Sequence, residues 1–312
     1  MNPLPSYGQS HSTPRLPIVT AIARLAAHAS FELTGCELPA LERARDAIPP
    51  RTMVSITWLP KETHDDRVAA ARAVHAAGFE PVPHVAARCI RTCEEAGELI
   101  RRLCGEAGVR RILLIGGDTS QPAGEFASAL ELLARFRNDR RGLRQVGFAA
   151  YPDGHPRLAS RRLEADLDTK LAVAEDAGLE PFVITQFAFD ARPIIQWLEA
   201  FRARGHDVPV RIGLAGPATI RTLMRFARIC GIGASTRALI ANGASLARMV
   251  HETGPDPVIL QLAEAKIGER LGPVGLHLFP FGGLDRAAAW ISPVGQGHIR
   301  LRRNESGFEP DP

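Results

Sequence analysis

Aromatic side chains are scarce in this chain of 312 residues, where they make up 6% of the composition. The 38 basic residues exceed the 34 acidic residues only slightly, and no long run of like charges occurs. Nucleic-acid surfaces usually combine a concentrated basic patch with aromatic rings on which bases stack. The composition therefore argues against a nucleic-acid partner and favours a mildly basic surface that suits a small anionic ligand.

Long apolar runs are also missing. No stretch approaches the roughly 18 residues needed for a membrane-spanning helix, so we expect no membrane association. The N-terminal segment lacks the apolar core of a signal peptide and is rich in Pro, Ser and Gly. We therefore expect a flexible tail over residues 1–18, a single domain over 19–303, and a second flexible tail over 304–312.

Cysteines are few and lack the spacing of a ligand set. They are Cys36, Cys89, Cys93, Cys104 and Cys230. Only Cys89 and Cys93 lie close together, and no second pair completes a structural zinc site. We expect reduced thiols in a cytoplasmic protein, and no metal.

Several catalytic and nucleotide-binding motifs are absent. No G-x-G-x-x-G follows an early strand, and the loop GGDTSQPAG lacks the Lys-Ser/Thr of a P-loop. No serine stands in a G-x-S-x-G context, and no H-E-x-x-H occurs. These absences disfavour a dinucleotide-binding open sheet, a P-loop enzyme, a serine hydrolase and a zinc hydrolase.

The chain does contain six short runs of strand-forming residues that each end on one polar side chain. These side chains are Glu32, Thr57, His84, Asp118, Tyr151 and Gln186. Successive members are 25, 27, 34, 33 and 35 residues apart, which is the length of one strand plus one helix. In a barrel of parallel strands such positions lie on one rim, where active sites form.

Helical segments separate these strands and begin at N-cap pairs such as Thr63 with Asp66. Two further strands are predicted at 208–216 and 273–279, with two additional helices between them at 235–252 and 257–272. The alternation predicts a (β/α)8 barrel, the TIM barrel, with extra helices before the last strand. A doubly wound open sheet is the main alternative.

Each rim residue has a functional and a structural interpretation. Glu32 lies among apolar neighbours, where desolvation would raise its pKa and retain a proton for general-acid catalysis, although it could also cap a loop or pair with an arginine. Asp118 follows two glycines that let a planar ligand approach the backbone, or it ends a simple turn. Gln186 suits the amide edge of a heterocycle. The set as a whole suits an organic cofactor.

At these residues the chain resembles the methylenetetrahydrofolate reductase family, over about residues 29 to 291. The most specific segment is ITQFAFD at 184–190, which looks like the family's strand with a pterin-binding glutamine. Other matching segments follow in the family's order: SFE, VSITW, PH, GD, AAYPDGHP and GLHLF. The resemblance implies a flavoprotein barrel that reduces 5,10-methylenetetrahydrofolate to 5-methyltetrahydrofolate with FAD and NADH or NADPH.

The resemblance also implies roles for individual residues. Glu32 matches the general acid, Asp118 the aspartate beside flavin and pterin, and Gln186 the pterin contact. Arg286 and Ile220 fall at further substrate-binding positions. The residues that match FAD-binding positions are Thr57, His84, Gly117, Asp118, Ala150, Tyr151, His155, Asp166 and Lys170.

The chain departs from the family's pattern near the cofactor. Gly116 stands where the family usually has an arginine, and Lys170 is the nearest lysine to the expected flavin-phosphate position. Ile220 replaces a phenylalanine that stacks on folate or nicotinamide, and Arg286 follows a longer loop than the family has. The cofactor half of the site therefore differs more from the family than the pterin half.

Three alternatives to the reductase remain. The same site could run in the oxidative direction, from 5-methyltetrahydrofolate, or a flavin-free variant could pass hydride directly from the nicotinamide. A non-redox barrel that binds folate or transfers a methyl group is the third, because barrels host many chemistries. The expected partners are the folate and a nicotinamide nucleotide, and the sequence is compatible with a homo-oligomer.

Overall fold

Eight parallel strands close into a barrel in the computed structural model, which describes residues 15–137, 142–155, 158–230, 252–267, 271–304 and 306–311. The barrel strands are β1 (Ser30–Leu33), β2 (Met53–Ile56), β3 (Glu80–Ala86), β4 (Arg111–Ile115), β5 (Gln145–Ala150), β6 (Glu180–Thr185), β7 (Val210–Ala215) and β10 (Val274–Phe279). Two separate two-stranded sheets are formed by β8 (Ala218–Thr219) with β9 (Glu252–Thr253) and by β11 (Ile299–Leu301) with β12 (Phe308–Pro310). The barrel order is β1-β10-β7-β6-β5-β4-β3-β2, which confirms the predicted (β/α)8 fold.

Helices follow the barrel strands and pack outside them. They are α1 (Arg15–Ala26), α2 (Leu38–Arg43), α3 (His64–Ala76), α4 (Cys93–Ala107), α5 (Ala129–Leu133), α6 (Ser160–Asp176), α7 (Ala191–Ala203), α8 (Ile220–Ile229), α9 (Asp256–Ile267) and α10 (Leu284–Gly295). The Thr63 side chain accepts a hydrogen bond from Asp66 N at 3.2 Å, and the Asp66 carboxylate accepts from Thr63 N at 2.8 Å. This capping box begins α3 where the sequence predicts it.

Successive side chains of each strand point to opposite faces of the barrel wall, so the apolar residues form one layer outside the barrel and one inside it. Val54 and Val85 belong to the large cluster between barrel and helices. A smaller cluster contains Met53, Val82, Leu113, Phe182 and Ile184, which come from alternate positions of β2, β3, β4 and β6. This second cluster packs inside the barrel, so the barrel is filled below the site and has no open channel.

The structure corrects two of the predicted strand ends. Thr57, Tyr151 and Gln186 directly follow β2, β5 and β6, as predicted. Glu32 and His84, however, lie within β1 and β3, because each strand continues to pair beyond them: Leu33 pairs with Ile56, and Ala86 with Ile115. Their side chains therefore project into the barrel mouth and do not belong to loops above it.

Ordered elements lie inside both segments that the sequence predicts as tails. Helix α1 begins at Arg15, inside the predicted N-terminal tail. At the other end, β12 pairs with β11, and Phe308 is 1% exposed. Phe308 N donates to the buried Asp256 carboxylate at 3.2 Å, and the phenyl ring stacks on Trp290. The buried ring of Phe308 and the hydrogen bond from its backbone N–H to Asp256 thus order this segment, although its Pro, Gly and Ser content suggested flexibility.

Two additional helices were predicted before the last barrel strand. Helix α9 covers most of the second of them, which was predicted at 257–272. Residues 235–251 of the helix predicted at 235–252 lie outside the described residues, and Glu252 belongs to strand β9. None of the helices in the described ranges combines the length and the hydrophobicity that crossing a membrane requires.

Candidate active site

Glu32 lies at the centre of a polar cluster inside the barrel mouth. Its Oε2 is 3.5 Å from His84 Nε2 and 3.8 Å from His277 Nε2. His84 belongs to β3, which is separated from β1 by β2, so the contact with Glu32 crosses the barrel interior. His277 belongs to β10 and reaches Glu32 because β10 pairs with β1 when the barrel closes.

Burial shifts the pKa values of this cluster in the directions that favour the neutral forms. Desolvation raises the pKa of Glu32, the charge of Glu37 adds to the rise, and His84 opposes it. Burial lowers the pKa of His84, against the opposing charge of Glu32. Burial together with Arg211 lowers the pKa of His277 to about 3. The mouth therefore contains a carboxyl group that retains its proton to higher pH than an exposed glutamate, beside two imidazoles that stay neutral to lower pH than an exposed histidine.

Ser30 holds the ring of His277 in place from the neighbouring strand. Its hydroxyl is 3.3 Å from Leu276 O, to which it can donate, and 2.8 Å from Nδ1 of His277. A hydroxyl can donate or accept, so the roles in the second bond follow the tautomer of the ring. The contact orients the ring so that Nε2 lies 3.8 Å from Oε2 of Glu32.

Three buried polar atoms around Glu32 have no hydrogen-bond partner among the described residues. They are Ser55 Oγ, His84 Nε2 and His277 Nε2. Ser55 is directly opposite Glu32 in the pairing of β1 with β2. Unpaired buried polar atoms are uncommon, and a group of them marks a place where a ligand or water completes the hydrogen bonding.

We expect His277 to make the protein acid-sensitive. A histidine whose pKa is about 3 when folded and 6.5 when unfolded binds fewer protons in the folded state, so stability is lost as the pH falls through that range. Between pH 7 and pH 5 the wild type should lose about 2 kcal/mol more unfolding free energy than His277→Asn. Urea unfolding at both pH values measures the difference.

His298→Asn is the matched control for this prediction, because His298 is an exposed histidine. It should follow the wild type at both pH values. A His277→Asn protein with the same pH dependence as the wild type would show that the pKa of His277 does not differ between the folded and the unfolded states.

A cavity of about 780 Å³ opens beside the cluster, at the carboxyl ends of β4 and β5. Seven of the predicted cofactor-binding residues line it: Gly117, Asp118, Ala150, Tyr151, His155, Asp166 and Lys170. The other two, Thr57 and His84, do not line this cavity. Thr57 Oγ1 instead donates to Leu33 O at 3.2 Å, which ties the end of β2 to β1.

Charged groups inside the cavity influence one another. Burial raises the pKa of Tyr151, and the charges of Asp118 and Asp166 raise it further. Lys170 donates to the carboxylate of Asp166, one helical turn away on α6. The Tyr151 and His155 rings meet edge to face with centroids 5.0 Å apart. Asp118 is therefore an anionic group within electrostatic range of the phenol at the cavity wall.

Cys230 is influenced by carboxyl groups of both the interior cluster and the cavity. Burial raises the pKa of its thiol to about 11, and the charges of Glu32 and Asp118 both contribute to the rise. The thiol at the end of α8 thus lies within electrostatic range of both carboxyl groups. Sequence reasoning missed Cys230, because only the packing of α8 against the barrel brings it there.

Gln186, Ile220 and Arg286 have different placements. Gln186 Oε1 accepts from Phe187 N at 3.0 Å, which leaves the amide nitrogen as a donor at the end of β6. Ile220 is 8% exposed in the first turn of α8. Arg286 lies on the exposed side of α10 and does not line the cavity. The structure therefore does not bring Arg286 together with the cavity residues.

Aromatic rings cluster near Ile220, and the sequence interpretation missed them. The cluster contains Phe187, Phe189, Phe226, Phe279 and Phe281. Phe226 of α8 stacks on Phe281 with centroids 4.0 Å apart, and Phe279 meets His277 edge to face. The run HLFPF at 277–281, which ends the last barrel strand and begins the loop after it, was the available signal. Flat apolar surface is thus present on this side of the mouth although Ile220 cannot stack.

The chain is similar to known proteins over part of its length. A family model described as methylenetetrahydrofolate reductase matches residues 38–239. The 5,10-methylenetetrahydrofolate reductase of Pectobacterium carotovorum is 30% identical over 158 residues, which cover 50% of each chain. Methylenetetrahydrofolate reductase 2 of Saccharomyces cerevisiae is 31% identical over 129 residues, covering 39% of this chain and 21% of that protein. The chain thus spans half or less of these relatives.

Proposed function

Because the chain belongs to the methylenetetrahydrofolate reductase family, we propose that it reduces 5,10-methylenetetrahydrofolate to 5-methyltetrahydrofolate, with FAD as cofactor and NADH or NADPH as electron donor. The observation that carries this proposal is the buried Glu32 beside His84 and His277, at a mouth shared with Asp118. A protonated carboxyl group next to a fixed anion suits a reaction that passes through a cationic intermediate.

Glu32 supplies the proton in this proposal. The bridging methylene of the substrate is a poor hydride acceptor until a ring nitrogen is protonated and the five-membered ring opens to an iminium ion. Burial raises the pKa of Glu32, so its carboxyl group remains protonated above the usual range for glutamate. His277 Nε2 and His84 Nε2, at 3.8 Å and 3.5 Å from Oε2 of Glu32, add no full positive charge that would favour loss of this proton while both imidazoles are neutral.

Asp118 and Gln186 orient and stabilise the substrate. The negative charge of Asp118 lies within electrostatic range of the mouth and favours the iminium cation over the closed ring. The free amide nitrogen of Gln186 can donate to an acceptor on the pterin edge. The apolar rings of Phe226 and Phe281 help exclude water from the same side.

The cavity residues fit a flavin dinucleotide. The cavity has a volume of about 780 Å³, which lies in the range of ligand and cofactor sites, roughly 300–1,000 Å³. Gly117 has φ of +94°, and a Cβ there would come within 3.2 Å of Ala86 Cβ, so this turn at the cavity wall favours glycine. Lys170 and Tyr151 would hold polar groups of the cofactor. When bound, FAD carries hydride between the nicotinamide and the folate.

The absorption spectrum of the purified protein tests this proposal. We expect a yellow protein, after addition of FAD if necessary, that NADH bleaches without oxygen and methylenetetrahydrofolate recolours. Recolouring requires both halves of the proposed reaction. A colourless protein that ignores FAD but oxidises NADH with the folate would overturn the flavin part. Absence of any folate-dependent oxidation of the donor would overturn the reductase assignment.

A further inference from the structure

Arg88 lies at the junction of β3 and α4, next to the two glycines that follow β4. Its backbone N–H donates to Gly116 O at 2.9 Å, and its side chain lines the cofactor cavity. The guanidinium donates from Nη2 to Ser120 O at 2.7 Å and from Nη1 to Ala127 O at 3.4 Å. These two bonds fix the planar group at the cavity wall.

The same guanidinium retains donors that the described residues do not use. A guanidinium carries N–H groups on Nε, Nη1 and Nη2, arranged as a rigid fork. Nε of Arg88 is buried and has no hydrogen-bond partner in the described ranges. Both bonds that the group does make go to carbonyl oxygens, and no described carboxylate pairs with it. The charge of Arg88 is therefore not neutralised by a neighbour.

Other features of the cavity favour an anion beside Arg88. Lys170 is bonded to Asp166, so its charge is already compensated. Ser160, at the start of the 17-residue helix α6, also lines the cavity, and amide groups at a helix N-terminus favour negative charge. Arg88 is half-buried, and an anion beside its guanidinium would compensate the charge and supply acceptors that the described residues do not.

We propose that Arg88 binds the diphosphate of a dinucleotide in this cavity and so provides the cation that Gly116 does not. A phosphate oxygen at the cavity wall can accept from the N–H groups of Nη1 and Nη2 that the two carbonyl oxygens do not use, a charge-assisted contact that arginine commonly makes with phosphates. The proposal rests on the proposed function for the presence of a dinucleotide site. FAD and the nicotinamide nucleotide both carry the required group.

Gly116 offers a matched rescue for a variant at Arg88. No atom lies within 4 Å of a Cβ built on Gly116, and its φ is outside the left-handed region. An arginine introduced at this position therefore has room for its side chain. Because Gly116 also lines the cavity, the new guanidinium can reach the same anion.

The test compares the wild type with Arg88→Gln, the double variant Arg88→Gln/Gly116→Arg, and Arg91→Gln. Arg91 is an exposed arginine of the same loop and serves as the control. Fluorescence titration measures the affinity for FAD, for riboflavin, which lacks phosphate, and for NADH. Arg88→Gln should weaken dinucleotide binding about 10- to 100-fold and leave riboflavin binding unchanged. The double variant should recover most of the loss.

Other outcomes separate this proposal from the proposed function. Equal weakening of FAD and riboflavin would show that Arg88 only holds the loop through Ser120 and Ala127, and would overturn the proposal. Unchanged dinucleotide affinity in Arg88→Gln would also overturn it. Arg88-dependent binding of NADH by a protein that does not bind FAD would support the proposal while overturning the flavin assignment. A wild type that binds neither dinucleotide would overturn both.

Discussion

Glu32→Gln should reduce the rate of methylenetetrahydrofolate reduction by about 10²- to 10⁴-fold, with little change in the reduction of bound flavin by NADH. Glutamine preserves the size and the hydrogen-bonding capacity of the side chain but cannot transfer a proton. The reaction with NADH needs no protonated carboxyl group, so it should continue. Stopped-flow absorbance of the flavin measures the two half-reactions separately.

The pH dependence gives a second measure of the same role. Because Glu32 acts while protonated, kcat/KM for the folate should fall as the pH rises through the raised pKa of Glu32. This fall should disappear from the residual activity of Glu32→Gln. Glu42→Gln, at an exposed carboxylate of α2, should behave like the wild type. Unchanged folate turnover in Glu32→Gln would eliminate Glu32 as the general acid.

Asp118→Asn should lower folate reduction by about 10²- to 10³-fold, since the cationic intermediate loses a fixed neighbouring anion in a site that excludes water. The variant also has an effect that does not depend on turnover. The charge of Asp118 raises the pKa values of Cys230 and Tyr151, so its removal should lower both. The curve of the Cys230 alkylation rate against pH should then shift to lower pH.

Asp65→Asn is the control for this variant, because Asp65 is an exposed carboxylate on α3. It should change neither folate reduction nor the alkylation of Cys230. If Asp118→Asn shifted the alkylation profile but kept full activity, Asp118 would be near the mouth without stabilising the cation. An unchanged alkylation profile would contradict the placement of Asp118 near Cys230.

Local sequence patterns predicted much of the architecture. The interval between successive polar strand ends predicted the barrel, because parallel strands joined by helices place equivalent positions on one rim. Thr57, Tyr151 and Gln186 lie directly after their strands for this reason. The capping residues Thr63 and Asp66 likewise marked the start of α3, since a capping box depends only on residues three apart.

The proton affinity of the site depends on contacts that no local pattern contains. Ser30 and His277 are 247 residues apart in sequence and meet only because β1 pairs with β10 when the barrel closes. Burial by that closure raises the pKa of Glu32 and lowers that of His277. A sequence can place a glutamate among apolar residues, but desolvation is a property of the assembled interior.

The sequence by itself therefore determined the alternation of strands and helices, the chemical types of the rim residues and the family that they match. Only the tertiary structure decided which of these residues share a space. It placed Glu32 and His84 inside the mouth, brought Cys230 within range of two carboxyl groups, and placed Arg88 at a cavity wall beside Gly116. The physical reason is that spacing along the chain sets local geometry, whereas burial and electrostatic partners arise when distant strands close into a barrel.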